Sequence, residues 1–131
     1  MITNEMRDQL IAMARQAAQN AYVPYSHFKV GAAILGEGGG IYTGCNVENA
    51  SLGLTICAER NACTTMVAQG ERRIAAVAIY GGERGGDAAP CGACRQFLSE
   101  FSDSMEVLCA KAGGRYVSYR LNQLLPHTFN Y

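Results

Sequence analysis

The chain has 131 residues, of which 49% are hydrophobic and 17% are charged, and this composition predicts one globular domain over residues 1–131. Its 11 basic and 11 acidic residues balance, and the absence of any Lys or Arg run argues against a nucleic-acid partner. A polar N-terminus and the lack of a long apolar run predict a cytoplasmic protein that does not associate with membranes.

The first half of the chain predicts a helix, a hairpin and a second helix. The predicted elements are a helix over 4–21, strands over 28–35 and 41–45, a polar loop over 46–51, and a helix over 56–69. Thr3 or Asn4 caps the first helix, and Thr55 caps the second, which ends at Gly70. The buried stripe of the first helix comprises Met6, Leu10, Met13 or Ala14, and Ala17.

The second half of the chain alternates strands with helices. The predicted elements are a strand over 74–80, a flexible connection over 81–87, a helix over 91–101 with Pro90 at its first turn, strands over 105–110 and 116–119, and a short helix over 121–125. Two strand–helix–strand connections are long enough for parallel crossovers. We therefore predict an α/β fold with three layers, α/β/α, in which a mixed sheet of about five strands has helices on both faces.

Two short stretches bring together thiols and one carboxylate. Cys57 precedes Glu59 by two residues, and Cys91 precedes Cys94 by three. Both stretches fall in the first turn of a predicted helix, where partial positive charge favours the thiolate that zinc needs. Because both helices follow loops on the same side of a central strand, we expect their N-termini to converge. Three thiolates favour zinc over magnesium or calcium.

The number of ligands separates a structural zinc site from a catalytic one, because structural sites have four protein ligands and catalytic sites keep a position open. Cys63 lies six residues after Cys57 and faces elsewhere on the helix. Cys45 remains a candidate fourth ligand by spacing. A structural knuckle leaves Glu59 unexplained, whereas beside an open zinc site Glu59 can carry protons. Disulfides are an alternative use of the six cysteines, but one suited to a secreted chain.

Several motifs together resemble the small homotetrameric zinc-dependent cytidine deaminases, and the resemblance covers essentially the whole chain. The matching motifs are Val23-Pro24-Tyr25-Ser26-His27-Phe28, Gly44-Cys45-Asn46-Val47-Glu48-Asn49, Cys57-Ala58-Glu59-Arg60, Pro90-Cys91-Gly92-Ala93-Cys94-Arg95-Gln96, and Leu124-Leu125-Pro126 followed by Phe129. The resemblance implies a cytidine-deaminase-like fold and a homotetramer whose active sites are shared between subunits.

The resemblance also implies a role for each site residue. Cys57, Cys91 and Cys94 would hold one Zn²⁺ per subunit, and Glu59 would shuttle protons to N3 and to the departing amino group. The implied substrate contacts are Asn46 and Glu48 to the ribose, Ala58 to the base, Phe28 along the pocket wall, and Phe129 stacking on the pyrimidine of a neighbouring subunit. The implied reaction is hydrolytic attack at C4 with loss of ammonia, which converts cytidine to uridine and deoxycytidine to deoxyuridine in pyrimidine salvage.

Two features bear on activity and specificity. Three thiolates leave an excess of negative charge on the site, which weakens the acidity of bound water, and the resemblance implies that Arg60 compensates by hydrogen bonding to the ligand sulfurs. Arg95 is a second candidate for that role.

Leu52 stands where the family usually has a tyrosine that reaches an adjoining subunit's nucleoside, so we expect a weaker hold on cytidine and wider tolerance of modified analogues.

Other functions remain as alternatives. A deaminase of blasticidin S or of another modified nucleoside is the nearest enzyme, and the Asn46/Glu48 pair and Arg60 favour the nucleoside enzyme over it. A nucleic-acid-editing deaminase is disfavoured by the zero net charge. A structural zinc module would explain the cysteines but not Glu59.

Overall fold

The computed structural model describes residues 2–81 and 88–131. Its helices and strands are α1 (Asn4–Ala18), β1 (Gly31–Gly36), β2 (Ile41–Cys45), α2 (Ala58–Ala68), β3 (Ile74–Tyr80), α3 (Gly92–Ser99), β4 (Glu106–Ala110), β5 (Tyr116–Arg120) and α4 (Leu121–Leu124). The predicted order of elements is confirmed. Apart from Gly81, the connection predicted over 81–87 lies outside the described residues.

The five strands form one mixed sheet in the order β2-β1-β3-β4-β5. The neighbours β3 and β4 are parallel, and the other neighbouring pairs are antiparallel. Because β2 and β3 both run antiparallel to β1, they point the same way. The helices that follow them, α2 and α3, therefore begin at the same edge of the sheet.

Helices cover both faces of the sheet, which confirms the predicted three layers. Leu10 and Ala14 of α1 pack against one face, in a cluster that includes Ala78. Ala62 of α2 and Leu98 of α3 pack against the other face. β3 is apolar along its whole length because its alternate side chains enter these two different clusters.

The first helix ends earlier than predicted and presents a slightly different face. Thr3 is its cap, accepting a hydrogen bond from the Met6 N–H at 3.1 Å, but α1 stops at Ala18 rather than at residue 21. Its buried residues are Leu10, Ile11, Ala14 and Ala18. Met13 and Ala17 of the predicted stripe lie at its margins, because the small side chains of Ala14 and Ala18 face the sheet at Gly31. A Cβ at Gly31 would lie 1.9 Å from the Ala14 carbonyl oxygen.

Three other predicted boundaries are corrected. Thr55 does not cap α2; it closes a single 3-10 turn at Leu52–Leu54, and Cys57 occupies the cap position. Pro90 does not lie in the first turn of α3, because the helix begins at Gly92 with Cys91 as its cap. The strand predicted from residue 28 begins at Gly31.

No helix in the described ranges 2–81 and 88–131 is long and apolar enough to cross a membrane.

Candidate active site

The structure brings three cysteine side chains together at the helix N-termini. The Sγ atoms of Cys57, Cys91 and Cys94 all lie within 4.8 Å of one another. Cys57 and Cys91 are the cap residues of α2 and α3, and Cys94 lies in the first turn of α3. The two parallel crossovers produce this convergence, because both helices begin at the same edge of the sheet.

These thiols fit an open metal site better than a closed one. Among residues 2–81 and 88–131, no further His, Cys, Asp or Glu joins the cluster, so Cys45 lies outside it. Cys63 is fully buried in the core. Three thiols with a free position suit a catalytic zinc site, whereas a structural site has four protein ligands.

The pKa values of the thiols also favour metal binding, because a metal binds the thiolate form. A hydrogen bond from Cys94 and a second from Arg60 lower the pKa of Cys57 to about 5, against the effect of burial. The same contact with Cys57, together with burial, raises the pKa of Cys94. The pair therefore shares one proton, and zinc would displace it on binding.

A cavity of about 270 Å³ opens beside the cysteine cluster, near the lower end of the sizes typical of small-molecule sites. The site residues from the sequence that line it are Phe28, Asn46, Cys57, Ala58, Glu59 and Cys91. Val30 and Ile79 contribute apolar wall. The arrangement offers an apolar slot with a few polar groups at one end, which is typical of sites for small ligands.

Glu59 is the only carboxylate among the described residues that line this cavity. It lies in the first turn of α2 and is 4% exposed. Burial raises its pKa to about 7, with the Cys57 thiolate adding to the shift. A carboxyl with a pKa near neutrality can both take up and release a proton.

Arg60 directs its guanidinium at the cysteine cluster. Its Nη2 donates to Cys57 Sγ at 3.6 Å and to the Thr55 carbonyl oxygen at 3.3 Å. Its Nε is buried and has no partner within the described part of the chain. Arg95 makes a different set of contacts: its Nε and Nη1 donate to the carbonyl oxygens of Pro90 and Leu124, at 2.8 and 2.9 Å.

Asn46 anchors the segment that carries Phe28. Its Oδ1 accepts from the Val30 N–H, and its Nδ2 donates to the Phe28 carbonyl oxygen, both at 2.9 Å. These bonds take backbone groups that a strand partner would otherwise use, which explains why β1 begins only at Gly31. Asn46 therefore holds Phe28 against the cavity wall.

Glu48 anchors the preceding turn. Its carboxylate accepts from the Ser26 hydroxyl and from the N–H groups of Tyr25 and Ser26, the latter two at 3.0 Å. The Ser26 hydroxyl is the largest cause of the lowered pKa of Glu48, and the two N–H groups add to it. Ser26 is a residue that sequence reasoning left without a role, although it lies inside one of the quoted motifs.

Three residues that were predicted to contact the substrate or to set specificity are not among those that line this cavity: Glu48, Leu52 and Phe129. Phe129 is 75% exposed and Leu52 is 71% exposed, and neither lines the cavity of its own chain. The backbone of Phe129 is bonded to the Gln96 side chain. The sequence also predicted no role for Gln96. Its position directly after Cys94-Arg95, in one of the quoted motifs, could have indicated one.

Comparison with known proteins gives a consistent result. The family model described as "Cytidine and deoxycytidylate deaminase zinc-binding region" matches residues 4–111. A cytidine deaminase of Sporosarcina psychrophila is 44% identical over 124 residues, covering 94% of this chain and 90% of the relative. A cytidine deaminase of Mycobacterium tuberculosis is 46% identical over 116 residues, covering 88% of this chain and 84% of the relative. The solved structure of cytidine deaminase from Burkholderia pseudomallei superposes with a TM-score of 0.89 at 44% identity, covering 98% of this chain and all of that one.

Proposed function

The chain belongs to the cytidine and deoxycytidylate deaminase family, and we propose that it hydrolyses cytidine and deoxycytidine to uridine and deoxyuridine with release of ammonia. The observation that carries this proposal is a cluster of three thiols within 4.8 Å beside a cavity that Glu59 also lines. Residues 1–131 act as one catalytic domain, and the reaction serves pyrimidine salvage in the cytoplasm.

Cys57, Cys91 and Cys94 hold one Zn²⁺ per subunit. Their geometry and the acidic Cys57 thiol support this assignment. Bound zinc lowers the pKa of a water ligand and so supplies a nucleophile at neutral pH. Arg60 offsets part of the negative charge of the thiolates through its hydrogen bond to Cys57.

Glu59 moves the protons of the reaction. It takes one proton from the attacking water and delivers it to N3 of the pyrimidine. It then takes the second proton from the hydroxyl now on C4 and delivers it to the amino group, which departs as ammonia. Its buried position beside Cys57 supports this role, because a carboxyl screened from solvent transfers protons to the substrate rather than to bulk water.

The remaining site residues hold the nucleoside. Phe28 packs along the base, and backbone groups of Ala58 at the start of α2 contact it. Asn46 and Glu48 bind the ribose hydroxyls. Each side chain can form further hydrogen bonds besides those that organise the loop. The Glu48 carboxylate accepts three hydrogen bonds of the roughly four it can take. The Asn46 amide donates one hydrogen bond and accepts one, which leaves a second N–H free to donate.

Phe129 completes the site of a neighbouring subunit in a homotetramer. Its exposed ring lies outside its own cavity, which supports a partner in another chain. Co-assembled Glu59→Gln and Phe129→Ala subunits test this: sites with an intact Glu59 beside an intact Phe129 regain the wild-type KM. A fully active monomer in sedimentation, or no recovery in mixed assemblies, contradicts the shared site.

Leu52 widens the range of nucleosides accepted. Its side chain is 71% exposed on the 3-10 turn that precedes Cys57, which supports contact with another subunit. Where a tyrosine would offer a hydroxyl, Leu52 offers only apolar surface. Base-modified cytidines therefore meet no polar group at that position.

The activity is tested by release of ammonia from cytidine, deoxycytidine and blasticidin S, and by release of the substituted amine from N4-modified cytidines, with zinc content measured on the same sample. We expect turnover of both plain nucleosides by the zinc-loaded protein. Turnover of blasticidin S alone would assign the chain to a different substrate, and turnover of none would contradict the proposal.

A further inference from the structure

The C-terminal segment depends on one side chain for its attachment. Within the described part of the chain, the only hydrogen bonds that join residues 126–131 to the rest of the molecule are those of Gln96 with Phe129. Gln96 Nε2 donates to the Phe129 carbonyl oxygen at 3.0 Å, and Gln96 Oε1 accepts from the Phe129 N–H at 3.4 Å. The amide thus pairs with both backbone groups of one residue, as a strand neighbour would.

A second bond fixes the other end of the same segment. Arg95, next to Gln96 on α3, donates from Nη1 to the carbonyl oxygen of Leu124 at the end of α4. Its Nε donates to the carbonyl oxygen of Pro90, the residue before Cys91. Adjacent residues of α3 therefore hold both ends of the segment 124–129, and the same helix carries Cys91 and Cys94.

These bonds fix the backbone of Phe129 while leaving its ring free. The ring is 75% exposed, so intrachain packing does not hold it in place. Ordering a free chain end has an entropic cost for each residue fixed. An attachment at the backbone of Phe129 offsets that cost before any partner is met, and leaves the aromatic surface available for contact.

We propose that Gln96 is the positioning residue for Phe129: by pairing with its backbone, Gln96 holds the ring at the orientation in which it meets the nucleoside in a second copy of the chain. This inference rests on the proposed role of Phe129 in a shared site. Gln96 itself does not touch the substrate. Gln96 increases the fraction of chain ends in which the Phe129 ring has the binding orientation. A larger fraction raises the apparent affinity for substrate.

The test is Gln96→Leu, which keeps the approximate size of the side chain and removes both hydrogen bonds. We expect KM for cytidine to rise about five- to tenfold, as for the loss of a bond of ordinary net strength, with kcat changed by less than about twofold. Amide hydrogen exchange at Phe129 should become faster, since its N–H loses its acceptor. Gln96→Glu retains the length and the acceptor but loses the donor to the Phe129 carbonyl oxygen, so it should also raise KM.

Gln16→Leu is the matched control. Gln16 is exposed on α1, on the other face of the sheet, and its side chain makes no hydrogen bond among the described residues. This variant should leave KM and the exchange at Phe129 unchanged. Zinc content and melting temperature are measured on every variant, and Gln96→Glu replaces Gln96→Leu if the latter does not fold.

The double variant with Phe129→Ala distinguishes positioning from a general structural effect. Once the ring is absent, Gln96→Leu should raise KM no further. A wild-type KM in the folded Gln96 variants, or an equal rise in KM without the ring, would overturn the inference while the role of Phe129 stands. If Phe129→Ala alone leaves KM unchanged, the shared site itself is wrong and the inference falls with it.

Discussion

The negative charge of the three cysteine thiolates determines which other residues the site needs. In the proposed zinc site, three thiolates would leave one net negative charge, which would oppose ionisation of a bound water. Arg60 is placed to offset it, since its Nη2 lies 3.6 Å from Cys57 Sγ and its buried Nε has no hydrogen-bond partner among the described residues. Arg95, the alternative in the sequence, uses its guanidinium on two backbone carbonyl groups instead.

Arg60→Gln should therefore lower kcat about tenfold or more while zinc stays bound, because outer contacts to metal ligands commonly have effects of this size. Steady-state kinetics and zinc analysis on the same sample check this. Arg115→Gln, at an exposed arginine outside the site, is the control. An unchanged kcat in fully zinc-loaded Arg60→Gln would show that the charge is balanced in another way.

Leu52 is the proposed determinant of substrate range. Leu52→Tyr should improve the kcat/KM for cytidine by up to about tenfold, since one added hydrogen bond contributes about 0.5–1.5 kcal/mol. The variant should also discriminate more strongly against base-modified cytidines. Leu54→Tyr, on the same 3-10 turn and similarly exposed, is the matched control. Equal discrimination against base-modified cytidines by wild type and Leu52→Tyr would exclude Leu52 as a determinant of substrate range.

At the scale of elements, the site depends on how closely α2 packs on the sheet. β2 contacts α2 at Gly44, where a Cβ would lie 2.4 Å from the Ala62 nitrogen and 2.8 Å from the Ala58 carbonyl oxygen. The absence of a side chain there lets the first turn of α2, with Glu59, reach the edge of the sheet. Gly31 has the same function for α1 on the opposite face.

Gly44→Ala and Gly31→Ala form a matched pair. Each forces a helix away from the sheet and should lower the free energy of unfolding by about 1–3 kcal/mol, as overpacked cores do. Only Gly44→Ala should also lower the kcat/KM of the folded protein, because only α2 carries Cys57 and Glu59. Thermal unfolding and kinetics on both variants check this, and equal losses of kcat/KM would contradict it.

The sequence predicted elements best where local patterns decide them. The bounds of β2 and β3 were correct because a hairpin turn and a continuous apolar run mark them. The start of α2 was wrong because Thr55 has a good capping side chain but is used to close a 3-10 turn. Cap preferences are weak where two short elements compete for one residue.

At the scale of the whole molecule, an ion pair joins the first helix to the sheet. Arg7 bonds Glu106 through two N–H groups, at 2.9 and 3.1 Å, and the Ser118 hydroxyl donates to the same carboxylate at 2.7 Å. Burial of Glu106 raises its pKa, but the bonds from Arg7 and Ser118 outweigh that effect, and the net shift is downward. The ionised form therefore stabilises the fold.

This shift fixes the sign of a pH effect. Because the pKa is lower in the folded state, the contribution of Glu106 is present above its unfolded pKa and is lost as the pH falls through the folded value. The difference in melting temperature between wild type and Glu106→Gln should thus shrink from about pH 7 to about pH 3. Glu37→Gln, which removes the exposed pair with Arg73, should change stability little. A constant difference for Glu106→Gln would contradict the assignment.

The sequence could not show how distant segments are joined. The cysteine cluster was predictable because helix N-termini and crossover topology bring Cys57 to Cys91 and Cys94. The bonds of Asn46 to Phe28 and of Gln96 to Phe129 were not, because each pairs a side chain with backbone groups far along the chain. Such pairings leave no periodic pattern in the sequence. They hold the backbone at Phe28 and Phe129, two of the proposed substrate contacts.

The most direct test of the account is turnover by Glu59→Gln, with bound zinc measured on the same protein. We expect wild type to release ammonia from cytidine, and Glu59→Gln to retain zinc while kcat falls at least about 100-fold, the effect of losing a proton carrier. Glu5→Gln, at the first-turn glutamate of α1, should match wild type. Undiminished ammonia release by zinc-loaded Glu59→Gln would contradict the proposed mechanism.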